Sequence, residues 1–506
     1  MNNFIIKKIN KDINNGLSIK KIKFRFPPEP NGYLHIGHIK AIYINFKLAE
    51  IYKAKINLRF DDTNPYNEHI NFVKEIKNNI KWLGFRWSKI TYTSDYFNIL
   101  YKWAKKLIKK KKAYIEYNKN NKIYNLYNIK ENLYHFKQMK DGKYKENSYV
   151  LRAKIDINSP NYHLRNPIMY RIIKKKHYRT KNKWCIFPTY DWAHGQSDYI
   201  EKITHSLCSI EFQNHNKLYN WFLKYIYNKK YNNILPKQIE FSRLNIYDTI
   251  TSKRHLNILI KKKIIKKLDD PRLSTISSFK KKGYNPKYII NFIKNIGYSK
   301  RYNKISINKL ELEIKKKIIK TSPKVMVLFN PIKIIINNFP KKLIEWIYIK
   351  KNKNFKKQII PFTREIYIEK NDFKEKYDKN FFRLSSYNYV RLKYSYIIKA
   401  YKIIKKKKKI IKIFCNFFKK KKKIKSTIQW ISKKYKKKIK ILDYNYIFFK
   451  KKKIYNKKSI KIIKAYIDLT INNLKLKKIY QFHRIGFFYL FKKNKFKKII
   501  YMKKKY

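Results

Sequence analysis

The sequence predicts an α/β amino-terminal domain followed by a β-rich carboxy-terminal region. Three observations carry that expectation. Residues 22 to 60 read as strand, loop, helix and strand within about 40 residues, the signature of a βαβ unit. Residues 96 to 189 lose that periodicity and become rich in Tyr, Asn and Lys. Beyond about residue 323, short apolar runs recur at regular intervals, as in barrels or sandwiches.

Taken in order, IKFRF (22 to 26) is a short strand and a loop crowded with Pro and Gly follows it, FRFPPEPNGYLHIGHIK (24 to 40). From His35 the apolar positions Ile36, Ile39, Tyr43 and Phe46 fall at helical spacing, and Ile56 to Phe60 form the second strand. Val73, Ile76, Ile80 and Leu83 make a further helical stripe that stops at Gly84, a residue suited to a helix end. In the 96 to 189 segment, DGKYKENSYVLRAKIDI predicts a turn and then a strand, so the segment reads as an insertion between two halves of the sheet. Residues 255 to 322 favour helices, KYIINFIKNIGY most clearly. The later strands YSYIIKAYKII, IIKIFCNFF and KSTIQWIS are separated by the runs Lys405 to Lys409 and Lys419 to Lys423, which read as solvated hairpin tips.

A chain of 506 residues implies several domains. Lys and Arg number 126 against 31 Asp and Glu, a net charge of +95 that should attract a polyanion such as nucleic acid. The abundant Lys, Asn, Ile, Tyr and Phe are also residues of A/T-rich codons, so nucleotide bias is an equally good source of that charge. The few surviving Gly, Pro and His therefore carry more information. Cys185, Cys208 and Cys415 lie far apart with no CxxC pair, which argues against a thiolate zinc site or a disulfide framework and suits a reducing cytoplasm. No run of about 18 uncharged apolar residues occurs, so a soluble protein with no membrane contact is expected.

The loop is where chemistry concentrates. In an α/β sheet the ligand crevice lies beyond the carboxyl ends of the strands, and the helix after the loop offers unpaired N–H groups and the positive end of its dipole. His35 and His38, three positions apart, share one side of that first turn and can hydrogen-bond a phosphoryl group as charge builds. A metal would need a third ligand, and nothing nearby has a matching spacing, so no metal ligands are assigned.

PPEPNGYLHIGH, together with ITSKR (250 to 254), resembles the HIGH and KMSKS signatures of class I aminoacyl-tRNA synthetases, and the surrounding residues are similar to the glutaminyl members of the glutamyl/glutaminyl subgroup. LRFDDTNP (58 to 65), NKWCIFPTYDWAHGQSDYIEKITHSLC (182 to 208), EFSRLN (240 to 245) and DDPRLSTIS (269 to 277) extend the resemblance, in order, over the first two thirds of the chain. It implies a Rossmann-like catalytic domain in two halves, 1–95 and 190–254, the second carrying the KMSKS-type loop. An acceptor-stem-binding domain (96–189) is inserted between them, and a helical subdomain (255–322) and two anticodon-binding β-barrels (323–506) follow.

The resemblance further implies that glutamine attacks the α-phosphorus of ATP, giving glutaminyl-adenylate and pyrophosphate. The 2′-hydroxyl of the terminal adenosine of tRNA(Gln) then takes the glutaminyl group and AMP leaves. Magnesium accompanies the phosphates, and the family implies a monomer. His35, His38 and Lys253 match the catalytic positions. Glu29, Pro30, Asn31, Ile36, Gly37, Ile39, Lys40 and Ala41 match the loop and helix start that enclose ATP, as do Ser209, Arg243, Leu244, Thr251 and Ser252 around the nucleotide. Thr251 departs from the usual methionine, which puts loop packing in question while Ser252 and Lys253 persist.

For the amino acid, the resemblance implies Arg25, Asp61, Tyr190 and His194. A carboxylate at Asp61 can hold the α-ammonium, and a tyrosine hydroxyl both donates and accepts, which suits a neutral carboxamide. For tRNA, Asn214, Lys300 and Asn303 match contact positions, and Lys324, Arg391, Gln481 and Arg484 match anticodon-reading ones. Asn214 stands where the family usually carries an aspartate, and an amide that also donates should relax selection at the acceptor stem. Two alternatives stay open: a glutamate–tRNA ligase of the same architecture, and a non-catalytic tRNA-binding relative. A shorter tRNA-modifying relative lacks the anticodon-binding half that this chain's length and β-rich end imply.

Overall fold

The computed structural model describes residues 3–502, apart from 120–121, 127, 229–233, 248–249, 251, 302–303, 350–357, 377, 387, 408, 420–423 and 449–453; the side chains of 119, 122, 253, 358 and 470 also lie outside the description. The chain forms two compact units, one of residues 1–269, 274–277 and 289–307, the other of residues 270–273, 278–288 and 308–506.

The first unit opens with helix α1 (Phe4–Asn14) and strand β1 (Lys23–Phe26), as the apolar run IKFRF predicts. Helix α2 (Ile36–Ile51) crosses to β2 (Lys55–Phe60), and α3 (Ile70–Trp82) crosses to β3 (Lys89–Tyr92). All three strands are parallel, in the order β1-β2-β3, with Arg25 opposite Asn57 and Asn57 opposite Lys89. Helix α2 buries Ile36, Ile39, Ile42, Tyr43, Ile44, Phe46 and Leu48, which is why its apolar residues outrun a simple stripe. Helix α3 stops where the stripe stops: Gly84 takes φ +95, and the N–H groups of Gly84 and Phe85 cap the carbonyls of Lys81 and Ile80.

Helix α4 (Phe97–Lys109) leads into an antiparallel sheet of β4 (Ala113–Lys119), β5 (Lys122–Asn125), β6 (Tyr149–Ala153), β7 (Ile168–Ile172) and β8 (Ile186–Pro188), in the order 5-4-6-7-8, with α5 (Ile129–Lys140) between β5 and β6. The chain then returns to the parallel sheet through α6 (Tyr190–Ile200), β9 (His205–Ser209), α7 (Asn216–Ile226) and β10 (Lys237–Phe241). Strands β9 and β10 are parallel, and Thr204 N–H donates to Lys23 O at 3.1 Å to lay β9 beside β1. Phe97, Phe136, Tyr170, Phe187, Trp192 and Phe222 share one buried core, so the inserted sheet packs on the helices flanking it.

The second unit holds two closed sheets. In one, Lys324–Val325, Lys478–Phe482, Gly486–Lys492, Lys495–Tyr501, Lys437–Tyr444, Ile460–Ile467 and Val327–Leu328 are neighbours in that order. The first and last of these are separated only by Met326, so one interrupted strand bonds both edges and leaves none open. The other sheet repeats the device with Thr427–Ile428 and Trp430–Ser432 on either side of Gln429. Between those two short strands it runs Val390–Leu392, Ile397–Lys406, Lys409–Phe418, Pro331–Ile336 and Glu365–Glu369. Alternate residues of Pro331–Ile336 are buried, the period-two pattern of a strand with one face on the core. The lysine run at 405 to 409 is a hairpin tip: Lys406 pairs with Lys409 and Lys407 has φ 47. Most of the other run, 420 to 423, lies outside the described residues. Among the described residues no helix is long and apolar enough to cross a membrane, and the three cysteines are free thiols.

Candidate active site

The two histidines of the loop interlock at the start of α2. His35 is the helix cap, and its Nδ1 accepts the Gly37 N–H at 3.1 Å; His38 Nδ1 in turn accepts the His35 N–H at 3.1 Å. The ring centroids are 4.0 Å apart. Because both Nδ1 atoms accept from backbone, a neutral ring at either position carries its proton on Nε2. The segment after residue 272 pins this turn. Ile36 N–H donates to Ser274 O at 3.0 Å, Ile276 N–H to Leu34 O at 2.9 Å, and His35 bridges Thr275. Gly37 is required for space: a Cβ there would stand 2.8 Å from His35 Cε1 and 3.2 Å from the Leu244 carbonyl.

The other nucleotide candidates surround this turn in different ways. Ile36 and Ile39 are wholly buried, so only their backbone faces the loop. Glu29 accepts from Asn31 across the turn, Pro30 O accepts the His69 N–H at 3.0 Å, and Ala41 O accepts from Asn45 at 2.9 Å. Lys40 is buried, and its Nζ donates to Ser242 Oγ at 3.1 Å; burial brings its pKa down to about 8. Ser209 ends β9 opposite Phe241. Arg243 Nε lies 2.7 Å from Glu211 Oε1, and Leu244 is buried. Ser252 caps the helix Lys253–Lys261 that Lys253 opens, whereas Thr251 and the Lys253 side chain lie outside the described residues.

Four amino-acid candidates come together below the loop. Tyr190 stacks on His194 at 4.7 Å and 23°, His194 Nδ1 is 3.5 Å from Asp61 Oδ2, and His194 Nε2 is 2.8 Å from Arg25 Nη2. Beneath them is a buried charge network. Asp198 Oδ1 accepts from Arg25 Nε at 3.0 Å and from Arg59 Nη1 at 2.7 Å, while Tyr219 donates to its other oxygen at 3.0 Å. Arg59 also donates to Asp61 Oδ1 at 2.8 Å and lies 3.7 Å from Glu201. Burial by itself would raise Asp198, but Arg25 and then Arg59 outweigh it and hold the carboxyl below its usual range. Asp61 likewise stays ionised against burial, through Arg59 and His194. Burial holds His194 below its usual range, hence neutral near pH 7. Asp61 Oδ2 is buried, and its 3.5 Å approach to His194 Nδ1 is too long for a full hydrogen bond.

Motif spacing did not single out Asp198, Arg59, Glu201, Cys208, Phe212 or Gln238. Gln238, Cys208 and Phe212 line the pocket with Tyr190, His194 and Tyr219. The four-residue step from His194 to Asp198 inside YDWAHGQSD was the available signal.

Of the tRNA candidates in the first unit, Asn214 is exposed and its carbonyl accepts from Asn161 Nδ2 at 2.8 Å. Lys300 lies 5.5 Å over the Phe4 ring, and Asn303 lies outside the described residues. In the second unit Lys324 pairs in register with Gln481, which is buried, and Arg484 donates to Asp372 at 3.1 Å from a turn with φ 60. Burial, then Lys393, Lys324 and Arg484, push His483 down to about 3, so these cations converge on one ring. Arg391 sits on the other barrel between Ile397 and Thr427, two residues from Lys393.

A parallel sheet with an interlocked histidine pair at its first crossover helix, an antiparallel insertion and two closed barrels defines a class I aminoacyl-tRNA synthetase. Residues 21–320 match the tRNA synthetases class I (E and Q) catalytic domain, and 322–418 and 427–490 match the anticodon-binding domains of the same group, so the chain belongs to that family. It is 42% identical over 530 residues to a glutamine–tRNA ligase of Buchnera aphidicola subsp. Schizaphis graminum, covering 96% of this chain and 93% of that one. A glutamine–tRNA ligase of Buchnera aphidicola subsp. Acyrthosiphon pisum is 46% identical over 425 residues, covering 80% and 73%. One from Clostridium kluyveri is 36% identical over 527 residues, covering 96% and 94%. Among solved structures, a glutamate tRNA ligase from Elizabethkingia meningosepticum aligns with TM-score 0.43 and 16% identity, covering 60% and 70%, a likeness too slight to bear on function.

Proposed function

We propose that this chain is a glutamine–tRNA ligase: it activates L-glutamine with ATP to glutaminyl-adenylate and transfers the glutaminyl group to the 2′-hydroxyl of the terminal adenosine of tRNA(Gln). The observation that carries the choice of amino acid is the charge balance below the pocket. Two buried guanidiniums, Arg25 and Arg59, face three carboxylates, Asp61, Asp198 and Glu201. Lys23, whose Nζ donates to the Glu201 carbonyl at 2.9 Å, offsets the third carboxylate, so the network is balanced without a substrate, and a substrate α-ammonium would pair with Asp61 at Oδ2. A glutamate side chain would bring a further negative charge that no unpaired cation of this network offsets, whereas a carboxamide needs only a donor and acceptor such as the Tyr190 hydroxyl.

In this reading the Nε2–H groups of His35 and His38 donate to phosphate oxygens as charge develops in the transition state, and Lys253 pairs with the leaving pyrophosphate. Catalysis then rests on positioning and neutralisation rather than on a covalent intermediate. Glu29, Pro30, Asn31, Gly37, Lys40, Ser209, Arg243, Leu244 and Ser252 shape the nucleotide site. A magnesium ion would accompany the phosphates and offset their charge. Asn214 contacts the tRNA acceptor stem, Lys300 and Asn303 belong to a further tRNA-contacting loop, and Lys324, Arg391, Gln481 and Arg484 read the anticodon. The enzyme works as a cytoplasmic monomer. ATP–pyrophosphate exchange with tRNA present, run once with glutamine and once with glutamate, tests the proposal. Exchange with glutamine alone is expected; exchange with glutamate alone makes the chain a glutamate–tRNA ligase, and tRNA binding with neither makes it non-catalytic.

A further inference from the structure

We propose that His163, Asp191 and His215 form a binding site for one divalent transition-metal ion of the zinc class at the rim of the amino-acid pocket. The three residues come from separate segments: the single turn Tyr162–Leu164, the start of α6, and the end of the turn Ile210–His215. One candidate ligand atom from each lies within 4.8 Å of the other two. The imidazole rings of His163 and His215 are 3.7 Å apart, and His215 Nδ1 is 2.6 Å from Asp191 Oδ1.

The two turns are held together independently of any ion. Asn161 accepts the His163 N–H at 3.1 Å and donates to the carbonyl of Asn214, the residue before His215, at 2.8 Å. Two imidazoles and a carboxylate are the donor set that zinc takes with three protein ligands, leaving a fourth position open. Ligand bonds of about 2.0–2.1 Å place tetrahedral ligand atoms about 3.3 Å apart, so side-chain torsions have to close the widest gap by about 1.5 Å. All three side chains are partly exposed and can turn. Asp191 and His215 also line the pocket with Tyr190 and His194, so an ion here would stand beside the bound amino acid without touching His35 or His38.

The test is a titration of the full, chelator-treated chain with Co2+ alone, followed by its d–d absorption, and with Zn2+ in competition. One ion per chain with the intense visible bands of four-coordinate Co2+ is expected. Loss of even an outer-shell partner weakens metal sites about 10–100-fold, so H163A and H215A should each weaken binding by at least about 100-fold. H35N/H38N should leave it unchanged. Absent bands, or an affinity unaltered by H163A and H215A, would overturn the proposal, as would an ion lost in H35N/H38N and retained in H163A. Should H163A fail to fold in a thermal melt, H163Q carries the same comparison. None of these readouts depends on aminoacylation.

Discussion

Replacing Gly37 with alanine isolates the geometry of the histidine pair. Gly37 is the second residue of α2 and its φ is not in the left-handed region, so the backbone should accept G37A without loss of stability. The added Cβ, however, would stand 2.8 Å from His35 Cε1, 2.9 Å from Nδ1 and 3.2 Å from the Leu244 carbonyl. Carbon atoms settle at about 3.5–4.0 Å, so the ring has to retreat by about 0.7 Å or more. The Leu244 carbonyl is main chain and blocks relief in the other direction. The retreat breaks the Gly37 N–H bond to Nδ1 that aims Nε2. Misplacing a catalytic group by about 1 Å can cost about 10²-fold. G37A should therefore slow ATP–pyrophosphate exchange about 100-fold at saturating substrate, with a melting temperature within a few degrees of the parent. A variant within about threefold of parental activity, or one whose loss of activity follows a collapse in melting temperature, would refute this steric account.

Further consequences follow from the same contacts. D198N keeps the shape but strands Arg25 and Arg59 on a neutral group; breaking such a buried pair costs about 3–5 kcal/mol, and urea denaturation showing a loss under about 1 kcal/mol would contradict it. Burial, above all, pushes Asp62 up to about 7 and Glu68 up to about 8 from ordinary values of 3.8 and 4.5. The folded chain therefore keeps protons that the unfolded chain releases: this contribution is fully present below about pH 4 and is lost as pH rises through 7 to 8. E68Q should flatten the fall in stability between pH 5 and 7 by up to about 1.4 kcal/mol per pH unit, read from urea midpoints. Y190F leaves the carboxamide a partner short, at about 1–3 kcal/mol, so kcat/KM for glutamine should drop about 10- to 100-fold while KM for ATP holds. N214D, at an exposed position, should raise the ratio of cognate to non-cognate tRNA charging, and an unchanged ratio would remove Asn214 from stem selection.

What could be read from the chain alone was whatever chemistry is local. The strand IKFRF, the helix start at His35, the end of α3 at Gly84 and the shared side of His35 and His38 follow from spacings of a few residues, where backbone geometry leaves few options. The same holds for the hairpin tip at Lys407. Tertiary structure decided the partners. Arg59 meets Asp198 across 139 positions, and Lys40 meets Ser242 across 202, pairings that depend on which helix crosses which strand. Closure of each barrel by one strand interrupted at Met326 or Gln429 was equally hidden, because two-residue pairings leave almost no pattern to detect. The meeting of His163, Asp191 and His215 was invisible for the same reason. Side-chain periodicity reports the face a residue turns inward, whereas the group it meets there is set by the long-range packing of elements far apart in the chain.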